Sequence, residues 1–142
     1  GEAHDLSVKK RRDTWLQKVW DKEFRVAIAT PPCSRHTRAV FSNSQGPKPT
    51  RDFFHPLGFP RLSPAEAAKT ELANYLIDFS LEVLAAAAAV QAIGFLEFPE
   101  DLGATPRGVP ASLWQLPAAK NLAKSYTRGA FCIRTSGQVS RI

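Results

Sequence analysis

Residues 24–34 read FRVAIATPPCS, an apolar run that ends abruptly on two prolines and a cysteine. The nearly continuous apolar pattern from Phe24 to Thr30 predicts a strand covered on both faces, as in a parallel sheet. Open α/β sheets place their chemistry at the carboxyl ends of their strands. Cys33 is therefore a candidate nucleophile at such a strand end. The alternative is an ordinary strand exit with a buried cysteine, since free Cys is among the most buried residue types.

A long helix is predicted downstream of this strand. Ser63 can cap it, Pro64 suits the first helical position, and Glu66 completes a capping box. The helix is expected to run to about Ile93 and to stop at Gly94, because glycine commonly ends helices.

A second strand, Phe95–Phe98, follows and is ended by Pro99. Strand, helix and strand in this order predict a right-handed parallel crossover. The carboxyl ends of the two strands then lie on one edge of the sheet. We therefore expect Cys33 and Glu97 to face the same cleft, although they are far apart in the sequence.

The other elements are shorter. Residues 5–22 are predicted to be helical, with Asp5 or Ser7 as the N-cap. Residues 111–125 predict a helix broken at Pro117, and residues 130–135 predict a third strand followed by a polar tail. The whole chain is predicted to be one α/β domain of three parts: a basic N-terminal helix (1–23), a strand-loop-helix-strand unit (24–99), and a basic C-terminal helix and strand (100–142).

The loop of residues 31–62 holds most of the turn-forming residues. A loop this long in a compact domain is usually functional or disordered. It carries basic residues among phenylalanines, a combination that can hold phosphate and stack bases. The alternative is that the aromatic side chains pin the loop to the body. The residues concerned are Arg35, His36, Arg38, Lys48, Arg51, Phe41, Phe53, Phe54 and Phe59.

Charge is distributed unevenly along the 142 residues, whose net charge is +6. A basic run occupies residues 9–12, and no acidic residue follows Asp101. This asymmetry suits nucleic acid, an acidic protein surface, or a place inside a large protein complex. A solvated basic face is the alternative.

Composition argues against several other classes of protein. Two cysteines do not form a disulfide framework, which favours a reduced, intracellular setting without indicating a compartment. The scattered His and Cys residues lack metal-ligand spacing. The polar start is unlike a signal peptide, and a first Gly with no Met indicates a processed, trimmed or partial chain. The apolar stretch Leu81–Leu96 contains Glu82 and Gln91, and predicts a soluble helix rather than a membrane span.

The two strand ends, Pro31-Pro32-Cys33 and Glu97-Phe98-Pro99, together resemble the DNA cytosine-5 methyltransferases. The segments PLGFPRLS (56–63) and SLWQLP (112–117) are similar to a divergent protist, retroelement-associated group of that family, in which residues 129–132 would be the following strand. The similarity covers residues 24–135 and rests on the order and spacing of short motifs. It implies a partial Rossmann-like methyltransferase half with a short parallel sheet flanked by helices.

The resemblance implies roles for particular residues. Cys33 would attack carbon 6 of cytosine, and Glu97 would contact the base and let its ring take up charge. Pro31 and Pro32 would support the nucleophile. With Arg35 and Arg38, they form the expected substrate-binding set. The target base would have to leave its stack to reach such a pocket.

Two departures from the family pattern are equally informative. Phe98 stands where the family has asparagine, and no glycine-rich loop for S-adenosylmethionine is present. This cofactor is expected only if a missing half is supplied elsewhere; otherwise no cofactor is expected. The chain is thus predicted to be a degenerate module, inactive in isolation, that keeps contact with nucleic acid. The alternatives are a non-catalytic structural subunit and a thiol-dependent hydrolase using Cys33 and His36.

Overall fold

A computed structural model describes residues 4–42, 45–125, 131–133 and 139–141. The chain forms a mixed α/β structure in which a short, largely parallel sheet is flanked by helices. Its elements in order are α1 (Lys9–Trp20), β1 (Val26–Ala29), α2 (Ala39–Ser42), α3 (Pro64–Ala89), β2 (Ile93–Glu97), a 3₁₀ turn (Leu113–Gln115), α4 (Pro117–Ser125), β3 (Phe131–Ile133) and β4 (Val139–Arg141).

The sheet has the strand order β1-β2-β3-β4. Strands β1, β2 and β3 are parallel, and β4 pairs antiparallel with β3. The predicted crossover from β1 through α3 to a neighbouring parallel β2 is therefore confirmed. The third strand, predicted over residues 130–135, is present as β3 at Phe131–Ile133. Within the predicted polar tail, Val139–Arg141 forms β4. Residues 130, 134–138 and 142 of these two predictions lie outside the described residues.

The core lies between α3 and one face of the sheet. Helix α3 contacts β1 and β2 on that face, and it also contacts α1 and α4. Alternate residues of β1 point into this layer, as expected for a strand whose side chains alternate between faces. The principal buried side chains are Val19, Ala27, Ala29, Ile77, Leu81, Leu84, Leu96, Phe98, Leu113 and Leu122.

The opposite face of the sheet is open, which contradicts the prediction of a strand covered on both sides. Val26 and Ile28 of β1 are 45% and 71% exposed, and Ile93 of β2 is 52% exposed. The apolar run correctly predicted a strand, but it wrongly predicted that both faces of this strand are buried. Among the described residues, no helix packs closely enough on this face to bury the second apolar row of β1.

The start of α3 agrees with the prediction in detail. The Ser63 hydroxyl accepts a hydrogen bond from the Glu66 backbone N–H, and the Glu66 carboxylate accepts one from the Ser63 backbone N–H. Pro64 lies in the first turn, where its missing N–H leaves no partner unsatisfied. This capping box fixes where the helix begins.

The end of α3 differs from the prediction. The helix ends at Ala89, and Gly94 lies inside β2. Gln91 takes the left-handed conformation, with φ of 63°, that glycine usually supplies. The Ala92 N–H donates to Ala87 O and the Gln91 N–H to Ala88 O, the two bonds of a Schellman motif. The glycine signal therefore misplaced the boundary by four residues.

The predicted cap of α1 is also wrong. Val8 is the N-cap, and none of the described side chains caps this helix. Asp5 instead accepts a hydrogen bond from the Ser7 backbone N–H, in a turn that precedes the helix. The aspartate is thus used before the helix rather than at its first turn.

Helix α3 is, within the described part of the chain, the one helix long and apolar enough to cross a membrane on length and composition alone. Its most apolar 18-residue window has a mean hydropathy of 1.4, and 33% of that window is buried. A core helix of a soluble protein passes the same test, and α3 packs on the sheet. The absence of a membrane span stays a prediction.

Candidate functional site

The ends of β1 and β2 meet at one edge of the sheet. Ala29, the last residue of β1, is paired with Leu96, and Glu97 ends β2. The chain then continues from β1 through Pro31 and Pro32 to Cys33. The structure thus brings the Pro-Pro-Cys and Glu-Phe-Pro segments to the same edge, as the sequence predicted. Their catalytic roles stay predictions.

A tight turn holds Cys33. The His36 backbone N–H donates to Cys33 O at 2.8 Å, which closes residues 33–36 into a turn. Pro31 is buried and Pro32 is exposed, so the first proline anchors the strand exit. Cys33 is a free thiol, half-buried against the hydrophobic core. Glu97 is half-buried as well.

Phe98 joins the two strand-end segments to a third. Its side chain is fully buried, and its ring packs edge-on to His36 at 5.3 Å and to Trp114 at 6.4 Å between centroids. The Trp114 indole Nε1–H donates to Pro99 O at 2.8 Å. The turn after β1, the end of β2 and the SLWQLP segment therefore form one packed unit around Phe98.

His36 also connects this unit to the later part of the 31–62 loop. Arg51 Nη1 lies 3.0 Å from His36 Nε2, and both side chains are buried. Burial, aided by the Arg51 charge, lowers the pKa of His36 to about 3, so the imidazole is neutral at physiological pH. Because the guanidinium can only donate, Nε2 is the acceptor and the ring proton is on Nδ1.

Arg51 holds the loop to α3. Its guanidinium donates to Pro56 O at 3.0 Å, to Asn74 Oδ1 at 2.8 Å and to Thr70 O at 3.3 Å. Burial lowers the pKa of Arg51 to about 10, with a smaller contribution from the nearby charge of Arg35. The group therefore stays charged at neutral pH. Nothing in the local sequence around Arg51 distinguishes it from the other loop arginines, so sequence reasoning missed this clamp.

The hydrolase alternative is not supported by this geometry. His36 Nε2 faces Arg51, and Nδ1 has no hydrogen-bond partner in the described part of the chain. Neither ring nitrogen is therefore bonded to the Cys33 thiol, as a nucleophile and its base would be. His36 serves to pack the turn against Phe98 and Arg51.

The basic loop is ordered by its own contacts. Arg35 Nη1 donates to Lys48 O at 2.7 Å, and Arg38 Nη2 donates to Ala104 O at 3.1 Å. The two predicted substrate-binding arginines thus also tie the loop to itself and to residues 100–110. Each binds a carbonyl through one terminal nitrogen.

The aromatic residues of the loop divide between two roles. Phe41 is buried against Gly108, where an added Cβ would come within 2.9 Å of its ring. Phe53 and Phe54 are 43% and 72% exposed and pack edge-on to each other. One aromatic therefore pins the loop, while two present a surface on which a base could stack.

The described residues contain no group of three or more His, Cys, Asp or Glu side chains arranged to hold a metal ion. Comparisons with protein-family models, with curated proteins and with solved structures find no match to this chain.

Proposed function

We propose that this chain is a degenerate cytosine-5 methyltransferase-like module that contacts nucleic acid and does not transfer a methyl group as an isolated chain. The observation that carries the proposal is the convergence of three motif segments at one sheet edge. Residues 31–36, 97–99 and 112–114 are distant in sequence but are packed together around Phe98. Within this proposal the parallel sheet is Rossmann-like.

The position of the two reactive groups fits an ancestral catalytic site. A thiol after β1 and a carboxylate at the end of the adjacent parallel β2 can approach one planar base from the same edge of the sheet. Attack by the thiolate on carbon 6 needs an acid that stabilises charge on the ring. Cys33 and Glu97 are assigned these roles by position.

Phe98 supports the loss of activity. An asparagine at this position would offer an amide to a neighbouring polar group or to the base. Phenylalanine instead fills the centre of an apolar contact and is fully buried. The sequence also has no glycine-rich loop to hold S-adenosylmethionine. The cofactor therefore belongs to this proposal only if another chain or segment supplies its site.

A trapping experiment with a control variant tests the proposal. The full chain is incubated with a duplex containing 5-fluorocytosine, with and without S-adenosylmethionine, and both duplex binding and adduct formation are measured. We expect binding without a covalent adduct, and no heat on titration with S-adenosylmethionine. The Cys33→Ser variant should bind the duplex equally well. An adduct that forms with wild type and not with the variant would contradict the inactivity, and absence of binding would contradict the nucleic-acid contact.

A non-catalytic structural subunit is the second candidate, and the open sheet face favours it. All-parallel sheets are almost always covered by helices on both faces, and β1, β2 and β3 of this mixed sheet are parallel. Val26, Ile28 and Ile93 instead form an exposed apolar row. We infer that, in this alternative, an apolar helical surface of a larger assembly covers the row.

The mass of the assembly tests this alternative. Ile28→Thr removes the most exposed member of the row with little change in β propensity. Light scattering on complexes formed with a purified partner should show a smaller mass for the variant, while Leu72→Thr, on the exposed side of α3, should leave the mass unchanged. Equal masses for all three chains would rule out docking at this face.

A further inference from the structure

A cavity of about 340 Å³ lies beside the turn that holds Cys33. Residues of that turn, the Thr50–Arg51 segment of the loop and the first turns of α3 form its wall. Three cationic side chains line it, from Arg35, Arg51 and Lys69, whereas Glu66 is its one acidic residue. The lining is therefore positively charged.

The carboxylate of Glu66 is already engaged. Its Oε2 accepts hydrogen bonds from both the backbone N–H and the hydroxyl of Ser63, at 3.1 and 2.6 Å. These bonds keep the pKa of Glu66 below its usual value. The capping box therefore directs the one carboxylate that lines the cavity towards Ser63, at the start of α3.

Arg51 is a buried cation, and its hydrogen-bond partners among the described residues are all neutral. Its side chain is 1% exposed, and it donates to carbonyl and amide oxygens and to an imidazole nitrogen. Arg51 takes part in none of the ion pairs within the described part of the chain. Burying a charge without a counter-ion is costly, so an anion beside Arg51 would stabilise this arrangement.

Two buried polar atoms at the same place have no hydrogen-bond partner among the described residues. They are the Thr50 hydroxyl oxygen and Arg51 Nε, on side chains 2% and 1% exposed. Both residues line the cavity. Leaving a buried donor unpaired costs about 1–3 kcal/mol, so such atoms call for a ligand or another partner. A hydroxyl and an Nε–H are both donors that a phosphate oxygen accepts.

We propose that this cavity binds a phosphate group, which accepts hydrogen bonds from Thr50 and Arg51 and is neutralised by Arg35 and Lys69. The source favoured by the proposed function, on which this step rests, is a backbone phosphodiester of nucleic acid, because Pro32 and Ser34 of the cavity flank Cys33. A free phosphate offers the same chemistry and is distinguished below.

The Arg51 Nε–H resonance gives a direct readout of binding. The full chain, labelled with ¹⁵N-arginine, is titrated with inorganic phosphate while chloride keeps the ionic strength constant. We expect a saturable shift of this resonance and a rise in the unfolding temperature, since a ligand that binds only the folded state stabilises it. An unmoved Arg51 resonance at saturating phosphate would overturn the proposal.

Two variants and a matched control test the donors without removing Arg51. Thr50→Val keeps the shape and deletes the hydroxyl, and Lys69→Gln deletes one charge. Each should weaken phosphate binding about tenfold, as loss of a hydrogen bond to a charged group does. Lys22→Gln deletes an exposed charge between α1 and β1, away from the cavity, and should have no effect. Without phosphate, Thr50→Val should be at least as stable as wild type. Wild-type phosphate affinity in Thr50→Val would overturn the assignment.

An oligonucleotide arm identifies the source of the phosphate. A short single strand added to the phosphate-saturated chain should displace phosphate and shift the same Arg51 resonance, in wild type and in Cys33→Ser alike. A shift of the Arg51 resonance with phosphate that the strand neither reverses nor alters would overturn the phosphodiester source. Nucleic-acid binding that is insensitive to Thr50→Val would contradict the phosphate site but not the proposed function. Conversely, a covalent adduct in the trapping experiment would contradict the proposed inactivity but not the phosphate site.

Discussion

Phe98 shows how a single residue can hold three distant segments together by packing. Its ring is fully buried between His36 and Trp114. Truncation to alanine leaves a cavity where three segments meet, so Phe98→Ala should lower the free energy of unfolding by about 3–5 kcal/mol. Phe54→Ala, at a 72% exposed position, should change it by less than about 0.5 kcal/mol. Urea denaturation measures both, and equal effects would contradict the central position of Phe98.

His36 should make stability depend on pH. Its pKa is about 3 in the folded chain and near 6.5 when unfolded. The unfolded state therefore binds the proton first as pH falls, and the stability that the neutral imidazole contributes is present above pH 6.5 and lost between pH 6.5 and 3. The slope approaches about 1.4 kcal/mol per pH unit in that window.

The His36→Gln variant isolates this contribution, because its amide oxygen can still accept from Arg51 and it does not titrate. Urea unfolding of both chains at several pH values between 7 and 4 is the measurement. The stability of wild type relative to the variant should fall steadily as the pH is lowered. A difference that stays constant over this range would show that His36 is not held neutral by burial.

For single residues, the sequence predicted the position along the fold better than it predicted burial and contacts. Cys33 and Glu97 could be placed at one sheet edge because strand ends follow from an apolar run and a proline. The buried Arg51–His36 contact could not be predicted, because its partners are 15 residues apart in a loop without a repeating pattern. Only the folded loop shows which of its arginines turns inward.

Among the helices, α3 shows why start signals are more reliable than stop signals. The capping box depends on side chains that bond within one turn, so Ser63 and Glu66 alone determine it. The helix end depends on where the chain must turn to enter β2. Here the turn is made at Gln91, although a glycine occurs three residues later.

Gln91 makes this turn in the left-handed backbone conformation, which costs a non-glycine residue about 1–2 kcal/mol. Gln91→Gly should therefore raise the free energy of unfolding by up to about 1 kcal/mol, because the greater flexibility of unfolded glycine offsets part of the gain. Gln91→Ala keeps the strain and should bring no such increase. Thermal unfolding of wild type and the two variants measures this effect. A Gln91→Gly chain that is no more stable than Gln91→Ala would refute the predicted strain at residue 91.

At the scale of the whole molecule, the open sheet face explains why the fold class was predictable and the covering layer was not. Buried and exposed residues alternate along β1, but the sequence does not show this alternation, because the residues on both faces of the strand are apolar. Periodicity therefore indicates a strand with two apolar faces, but not whether this chain supplies a second layer. Val26 and Ile28 retain side chains suited to a covered face while they lie open to solvent.

The net charge of +6 is also a property of the whole molecule, but its two basic segments differ. On α1, Lys9 pairs with Asp13, and Arg12 donates to Leu6 O. On α4, Lys120 and Lys124 are exposed and belong to a segment without acidic residues. We therefore expect α4 to contribute more than α1 to the proposed contact with nucleic acid.

Two double variants of equal charge change test this expectation. Lys120→Gln/Lys124→Gln should weaken binding of a single-stranded oligonucleotide and reduce the slope of log K against log salt by about 1.4, from two phosphate contacts of about 0.7 each. Lys10→Gln/Arg11→Gln removes the same charge from α1 and should reduce the slope by less. Fluorescence anisotropy at several salt concentrations gives both slopes. Equal reductions would mean that the chain attracts nucleic acid through its overall charge, whereas a smaller reduction for α4 would place the contact on α1.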